Sequence, residues 1–197
     1  MAIDLTTKNK FGISYEGTQG ILMPKLKYRF RVTFFDFGTD GSGSVELTRN
    51  VQSVTRPKIT HEEVVIDSYN SRVYVQGKHS WEQISVTFRD DIGHGVARQV
   101  SDQLQRQFNH FQQTTPAAGA DYKFDMQIEV LDGSTTDPTE IWRLEGCFLT
   151  NVDYTDQDYA TNDAVQITMQ VRYDNATQYD AGENPIASST TTIGTEA

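Results

Sequence analysis

Four histidines, one cysteine and a late run of aspartates are the groups in this 197-residue chain whose chemistry could build a catalyst or a metal centre. His61, His79, His94 and His110 lie 18, 15 and 16 residues apart, and none forms the i, i+4 pair that sets two imidazoles on one helical face. The spacing predicts surface or packed histidines and no metal site. Asp153, Asp156, Asp158 and Asp163 invite a calcium reading. A calcium loop counted from Asp156 needs an oxygen ligand at Ala160, a glycine at Thr161 and a glutamate at Ile167, and it fails at all three. A solvated acidic loop is the expectation. Cys147 sits in an alternating strand pattern with no histidine nearby in sequence, which predicts packing and not nucleophilic attack. A single cysteine also excludes an internal disulfide framework and a Cys-rich zinc site. Gly41-Ser42-Gly43-Ser44 lacks the strand–turn–helix setting of a nucleophile elbow, and no phosphate-binding glycine loop opens the one predicted helix. Asn175-Ala176-Thr177 matches a glycosylation acceptor without a secretion signal to accompany it. The sequence predicts a protein that is not an enzyme, with no catalytic, cofactor-binding or metal-ligating residues.

Charge narrows the class further. The net charge is −10 and is unevenly placed. Residues 1–98 carry 13 basic and 11 acidic side chains, whereas residues 99–197 carry 4 basic and 16 acidic. A sequence-independent nucleic-acid binder uses Lys and Arg to displace counterions, so this balance argues against one. No stretch reaches the roughly 18 apolar residues of a membrane span, and Met1-Ala2-Ile3-Asp4 does not start a signal peptide. The expectation is a soluble protein made in a reducing cytoplasm, with no membrane insertion.

The elements that must position any working surface are read from periodicity. Residues 1–23 form an N-terminal arm without a clean period. Leu26, Tyr28, Phe30, Val32 and Phe34 alternate with Lys25, Lys27, Arg29, Arg31 and Thr33, predicting a strand with one core face and one basic face. Residues 38–44 are a glycine-rich turn or projecting loop, and 45–56 read as extended. Ile59–Ile66 and Ser71–Val75 read as short strands around an Asp67–Asn70 corner, and Ile84, Val86 and Phe88 mark a further strand. Ala97, Val100, Leu104, Phe108 and Phe111 step by 3 or 4, predicting an amphipathic helix over about 94–112 behind Asp90-Asp91. Tyr122–Val130, Ile141–Val152 and Val165–Tyr173 complete the strands, and 176–197 read as a polar tail. About seven strands and one helix predict an antiparallel β-sandwich or barrel over residues 24–175, with one flanking helix.

Three segments in this order carry a resemblance. They are Pro24-Lys25-Leu26-Lys27-Tyr28-Arg29-Phe30-Arg31-Val32; then Asn70-Ser71-Arg72-Val73-Tyr74-Val75-Gln76-Gly77 through Trp81 to Val86-Thr87-Phe88-Arg89-Asp90-Asp91; and Leu144 to Val152 followed by Gln166 to Asp174. Together they resemble the tail tube proteins of contractile-tailed bacteriophages, whose fold is shared by type VI secretion tubes and phage-like injection particles. The resemblance implies homohexameric rings stacked head to tail into a conduit for DNA ejection inside a contractile sheath. It implies as partners the sheath, the baseplate tube initiator, the tape measure and the tail terminator, with double-stranded DNA passing through without specific binding. It places the protein in the virion tail after assembly in the host cytoplasm. Four strands from each of six subunits would close an inner barrel roughly 48 Å across. By the same analogy its lumen is lined by Lys123, Asp125, Gln127 and Glu129, with Arg143 and Glu145. A mostly acidic or neutral wall gives phosphate little to hold. The cations Lys25, Lys27, Arg29 and Arg31 are then expected on an outer or inter-subunit face. A baseplate tube initiator, the tube of a phage-derived injection system and a soluble ligand-binding β-barrel are the alternatives.

Overall fold

Alternation decides most of the strands. The computed structural model describes residues 25–38, 44–133, 138–160, 162–180, 182 and 185–186, with no side-chain description at 44–46. The order is β1 (Phe30–Phe35), α1 (Ser44–Asn50), β2 (Val51–Val54), β3 (Ile59–Ser68), β4 (Ser71–Trp81), β5 (Ile84–Arg89), α2 (Gly95–Gln107), β6 (Phe124–Leu131), β7 (Pro138–Asp153), β8 (Gln166–Arg172) and β9 (Asn175–Asp180). All strand pairs are antiparallel. Among the described residues seven strands run β1-β6-β7-β8-β5-β2, with β9 on the remaining side of β7, while β3 and β4 pair only with each other. The class expected from sequence, mainly antiparallel β with flanking helix, is the observed one.

One long strand makes the two layers. The first half of β7 pairs with β6 and β9, and from Phe148 it pairs with β8. Gly146 marks the changeover. Its φ is +66°, and a Cβ there would strike the Asp174 carboxylate, so glycine is favoured. Two residues of β7, Glu145 and Gly146, oppose the single Asp125 of β6, whose Oδ1 accepts the Gly146 N–H at 3.0 Å. That bulge turns the strand from one layer into the other.

Between the layers Phe34 lies 5.4 Å from Phe37 and 5.9 Å from Phe88, with Phe124 edge-on to Phe37 at 4.8 Å. Val96 and Val100 press α2 onto this cluster. Gln103 is buried but satisfied, accepting from Gly38 N and donating to Tyr122 O.

Four differences from the sequence reading have local causes. Ser44–Asn50 is helical and not extended; its Leu47 enters the core, and Val51, which opens β2 directly after it, packs against the same core. Strand β1 begins at Phe30, five residues later than the alternation suggests. The Arg29 N–H closes a turn on Leu26 O, so Lys25, Lys27 and Arg29 do not extend one strand face. Helix α2 ends at Gln107, short of 112, because Asn109 Oδ1 accepts from Phe111 N and Gln112 N and builds a competing turn. Phe111 is consequently exposed, although the helical stripe counts it as core. Finally, β9 carries the sheet through Asp180, past the boundary at 175, and its segment Asn175-Ala176-Thr177 is paired strand. The arm 1–23, the loop at 39–43 and most of 181–197 lie outside the described residues.

Candidate assembly surface

The β3–β4 hairpin is where the chain exposes what a domain normally hides. Every residue of β3 and nearly every residue of β4 is exposed. The register pairs Val64 with Val75 and Ile66 with Val73, so these four side chains form one aliphatic patch, each about half exposed. The opposite face carries Glu63 with Gln76, Val65 with Tyr74, and the ion pair Asp67–Arg72 at 2.8 Å. At the root, the Trp81 ring packs at a tilt 5.7 Å from Tyr173 and fastens the hairpin to the body. A two-stranded ribbon is barely stable by itself in water, and a contiguous exposed apolar patch marks a contact surface. Sequence reasoning found these strands but missed the patch. Its signal is the unbroken run Val64-Val65-Ile66, which makes both faces of a strand apolar.

The second surface is the outer face of the layer formed by β1, β6, the start of β7 and β9. Register brings Arg31 opposite Glu129, Thr33 opposite Gln127, and Gln127 opposite Arg143. Glu129 is only 5% exposed and pairs with Arg31 at 2.5 Å, while Gln127 donates to its other oxygen at 2.7 Å. The sequence assigned Arg31 and Glu129 to two different surfaces and read Glu129 as water-facing. Strand pairing puts them side by side on one face, and the ion pair covers Glu129. Asp125 is exposed at the Gly146 bulge, Glu145 is exposed beside it, and the Arg143 guanidinium lies 4.8 Å from the Tyr179 ring centre. Lys123 pairs with Asp174 at 2.5 Å.

The predicted basic row is dispersed in the same way. Lys25 and Arg56 both engage Glu140, which is 2% exposed and also accepts from Trp142 Nε1 and Gln178 Nε2 at 2.7 Å each. Burial pushes the Glu140 carboxyl up, but the Lys25 and Trp142 hydrogen bonds and the charges of Arg56 and Lys25 outweigh it and hold the group at about 2. Arg29 donates to Asp132 O, and Lys27 is exposed.

Chemistry has little purchase elsewhere. Cys147 is fully buried, and burial followed by the Asp125 and Asp174 charges drives its thiol far above the ordinary range, away from thiolate reactivity. Among the described residues no three His, Cys, Asp or Glu side chains converge on a common point. No described helix is long and apolar enough to cross a membrane.

No family model and no curated protein sequence matches the chain. Solved structures do. A chain of the PVC sheath-tube complex, an extracellular contractile injection system in its extended state, superposes at a TM-score of 0.61 and 16% identity, over 89% of this chain and 99% of that one. A chain of the anti-feeding prophage baseplate gives 0.60 at 15% identity, over 81% and 97%. The SPP1 tail tube gives 0.53 at 14% identity, over 80% of each. The chain has the tail tube fold. The chain reaches it with a sequence that shares about one residue in six or seven with these structural neighbours.

Proposed function

We propose that the protein is the tail tube subunit of a contractile tail, whose hexameric rings stack head to tail into the conduit through which DNA leaves the virion. The observation that carries this is a likeness over 80–89% of the chain to tube-containing assemblies in a subunit with an uncovered aliphatic hairpin face. In a ring, a neighbour covers Val64, Ile66, Val73 and Val75, and the edge strands β1 and β2 gain cover that the lone subunit does not give them. Sheath, tape measure, baseplate initiator and tail terminator are then its partners, it needs no cofactor, and it is not an enzyme.

In this reading the lumen is the face bearing Lys123, Asp125, Gln127, Glu129, Arg143 and Glu145. Its cations are engaged: Lys123 by Asp174, Arg31 by Glu129, and Arg143 over Tyr179. DNA sliding past meets exposed Asp125 and Glu145 and few cations able to exchange with its counterions. Lys25 and Arg29 are likewise held by Glu140 and Asp132, which suits an inter-subunit position clear of the DNA path.

A second reading is favoured by the likeness to the PVC and anti-feeding prophage assemblies: the tube of a phage-derived injection machine, built in the same way with a different cargo. Negative-stain microscopy of the purified full chain at high concentration should show six-fold rings or tubes. A strictly monomeric protein at every accessible concentration overturns both readings. Nuclease-protected DNA inside particles built on the tube selects the phage reading.

A further inference from the structure

The register of the hairpin sets two histidines face to face. His61 of β3 and His79 of β4 are directly opposed Cα partners, with ring centres 6.0 Å apart. They come from positions 18 apart in sequence, so no spacing rule for helices or turns would pair them. The irregularity that aligns them lies in β4, where two steps from His61 to Glu63 are matched by three from His79 to Gln76. Gly77 occupies that bulge, and a Cβ on it would come within 2.9 Å of Glu62 O, so the close approach depends on glycine.

We infer that His61 and His79 form a cross-strand chelate for a divalent late first-row transition ion such as Zn2+ or Cu2+, with water completing the coordination. Imidazole suits these ions, and copper binds such donors most tightly. With metal–nitrogen bonds of about 2.0–2.1 Å, two imidazoles on one ion hold their ring centres about 5–6.5 Å apart, depending on the angle. The observed separation lies within that span, so side-chain rotation alone brings both rings onto one ion.

Gln76 supplies the outer support. Its amide nitrogen lies 2.8 Å from His61 Nδ1. With the amide turned so that its oxygen accepts from Nδ1–H, Nε2 of His61 is left as the metal-binding nitrogen, and the ring is fixed. Both histidines are exposed, so an ion and its waters reach them freely. His94 and His110 lie outside the hairpin, on either side of α2, and have no part in this pair. The ion would staple β3 to β4 near the root of the ribbon whose aliphatic face is uncovered. The chelate needs only one subunit, so it stands or falls separately from the assembly reading.

Trp81 makes the site visible. Its ring lies 6.4 Å from His79, edge-on, close enough for bound Cu2+ to quench its fluorescence. Full-length protein without a histidine tag is titrated with CuCl2, and Zn2+ is then added as competitor. The expected result is saturable quenching at one equivalent in the micromolar range, reversed by excess Zn2+. Replacing one imidazole turns a two-point attachment into a single one, so His61→Gln or His79→Gln should weaken binding about 100-fold. Gln76→Ala should weaken it about tenfold. A double His94→Gln, His110→Gln variant should bind as the parent does. Quenching that persists in both hairpin variants, or that climbs without saturation into the millimolar range in the parent, overturns the chelate.

Discussion

The sandwich body and the β3–β4 hairpin are written in the same alternating code, yet they dispose of their apolar residues in opposite ways. Val86 and Phe88 of β5 and Ile167 and Met169 of β8 are inaccessible, whereas Val64, Ile66, Val73 and Val75 are about half open. The difference is the presence of a second layer. Strands of the body have another sheet or α2 against their apolar face, while among the described residues each hairpin strand has only its twin. Alternation therefore specifies a face to be buried, and the surrounding chain decides whether it is buried within the subunit or against another.

The largest effect expected from breaking that contrast is in the body. Phe88→Ala leaves a cavity beside Phe34 and should cost about 3–5 kcal/mol, read as a lower urea midpoint with an unchanged slope. Next comes the Glu140 node, which ties Lys25 and Arg56 to β7 and β9. Glu140→Gln should cost about 2–3 kcal/mol, less than a fully buried pair because both cations are half exposed. The same node sets an acid limit. A carboxyl held at about 2 in the folded state against an ordinary 4.5 stabilises fully above about pH 4.5, and that stability drains away as pH falls through 2. Acid unfolding of the parent should show this drop, and the Gln variant should lack it.

Gly146→Ala tests the bend between layers. A β-carbon at φ +66° beside the Asp174 carboxylate should cost about 1–2 kcal/mol, seen as a lower melting temperature. The smallest change in subunit stability belongs to the hairpin. Ile66→Ser with Val73→Ser removes half-exposed groups and should move unfolding by about 0.5 kcal/mol or less per site. Rings or tubes should nevertheless be lost in the microscope. An assembly-competent double variant would show that the patch is not the contact, and the contrast between body and hairpin would lose its meaning.

Strand existence was legible wherever alternation was long and one-sided, as in Ile84–Phe88 and Phe124–Val130. What failed was short or locally overridden. Seven residues at 44–50 offer two turns of helix and too few apolar positions to separate a period of 3.6 from a period of 2. Phe108 and Phe111 continue a helical stripe in sequence, but the Asn109 side chain captures the backbone N–H groups that the helix would need. The polar face was legible only as a list of side chains. Whether Glu129 meets water or Arg31 depends on which strand lies beside β6, and register is a long-range property.

From the sequence by itself follow the antiparallel class, the helix behind Asp90-Asp91, the packing role of Cys147 and the absence of any catalytic or calcium-loop spacing. These rest on local periodicity and on spacing within one segment, which need no knowledge of the rest of the chain. Tertiary structure alone decided that Arg31 neutralises Glu129, that Lys25 and Arg56 converge on Glu140, that His61 faces His79, and that one hairpin keeps its aliphatic row uncovered. The ion pairs and the histidine pair join residues between 18 and 115 positions apart, brought together by strand pairing and chain packing that no local pattern encodes; the aliphatic row is local in sequence, and packing decides only that it stays uncovered.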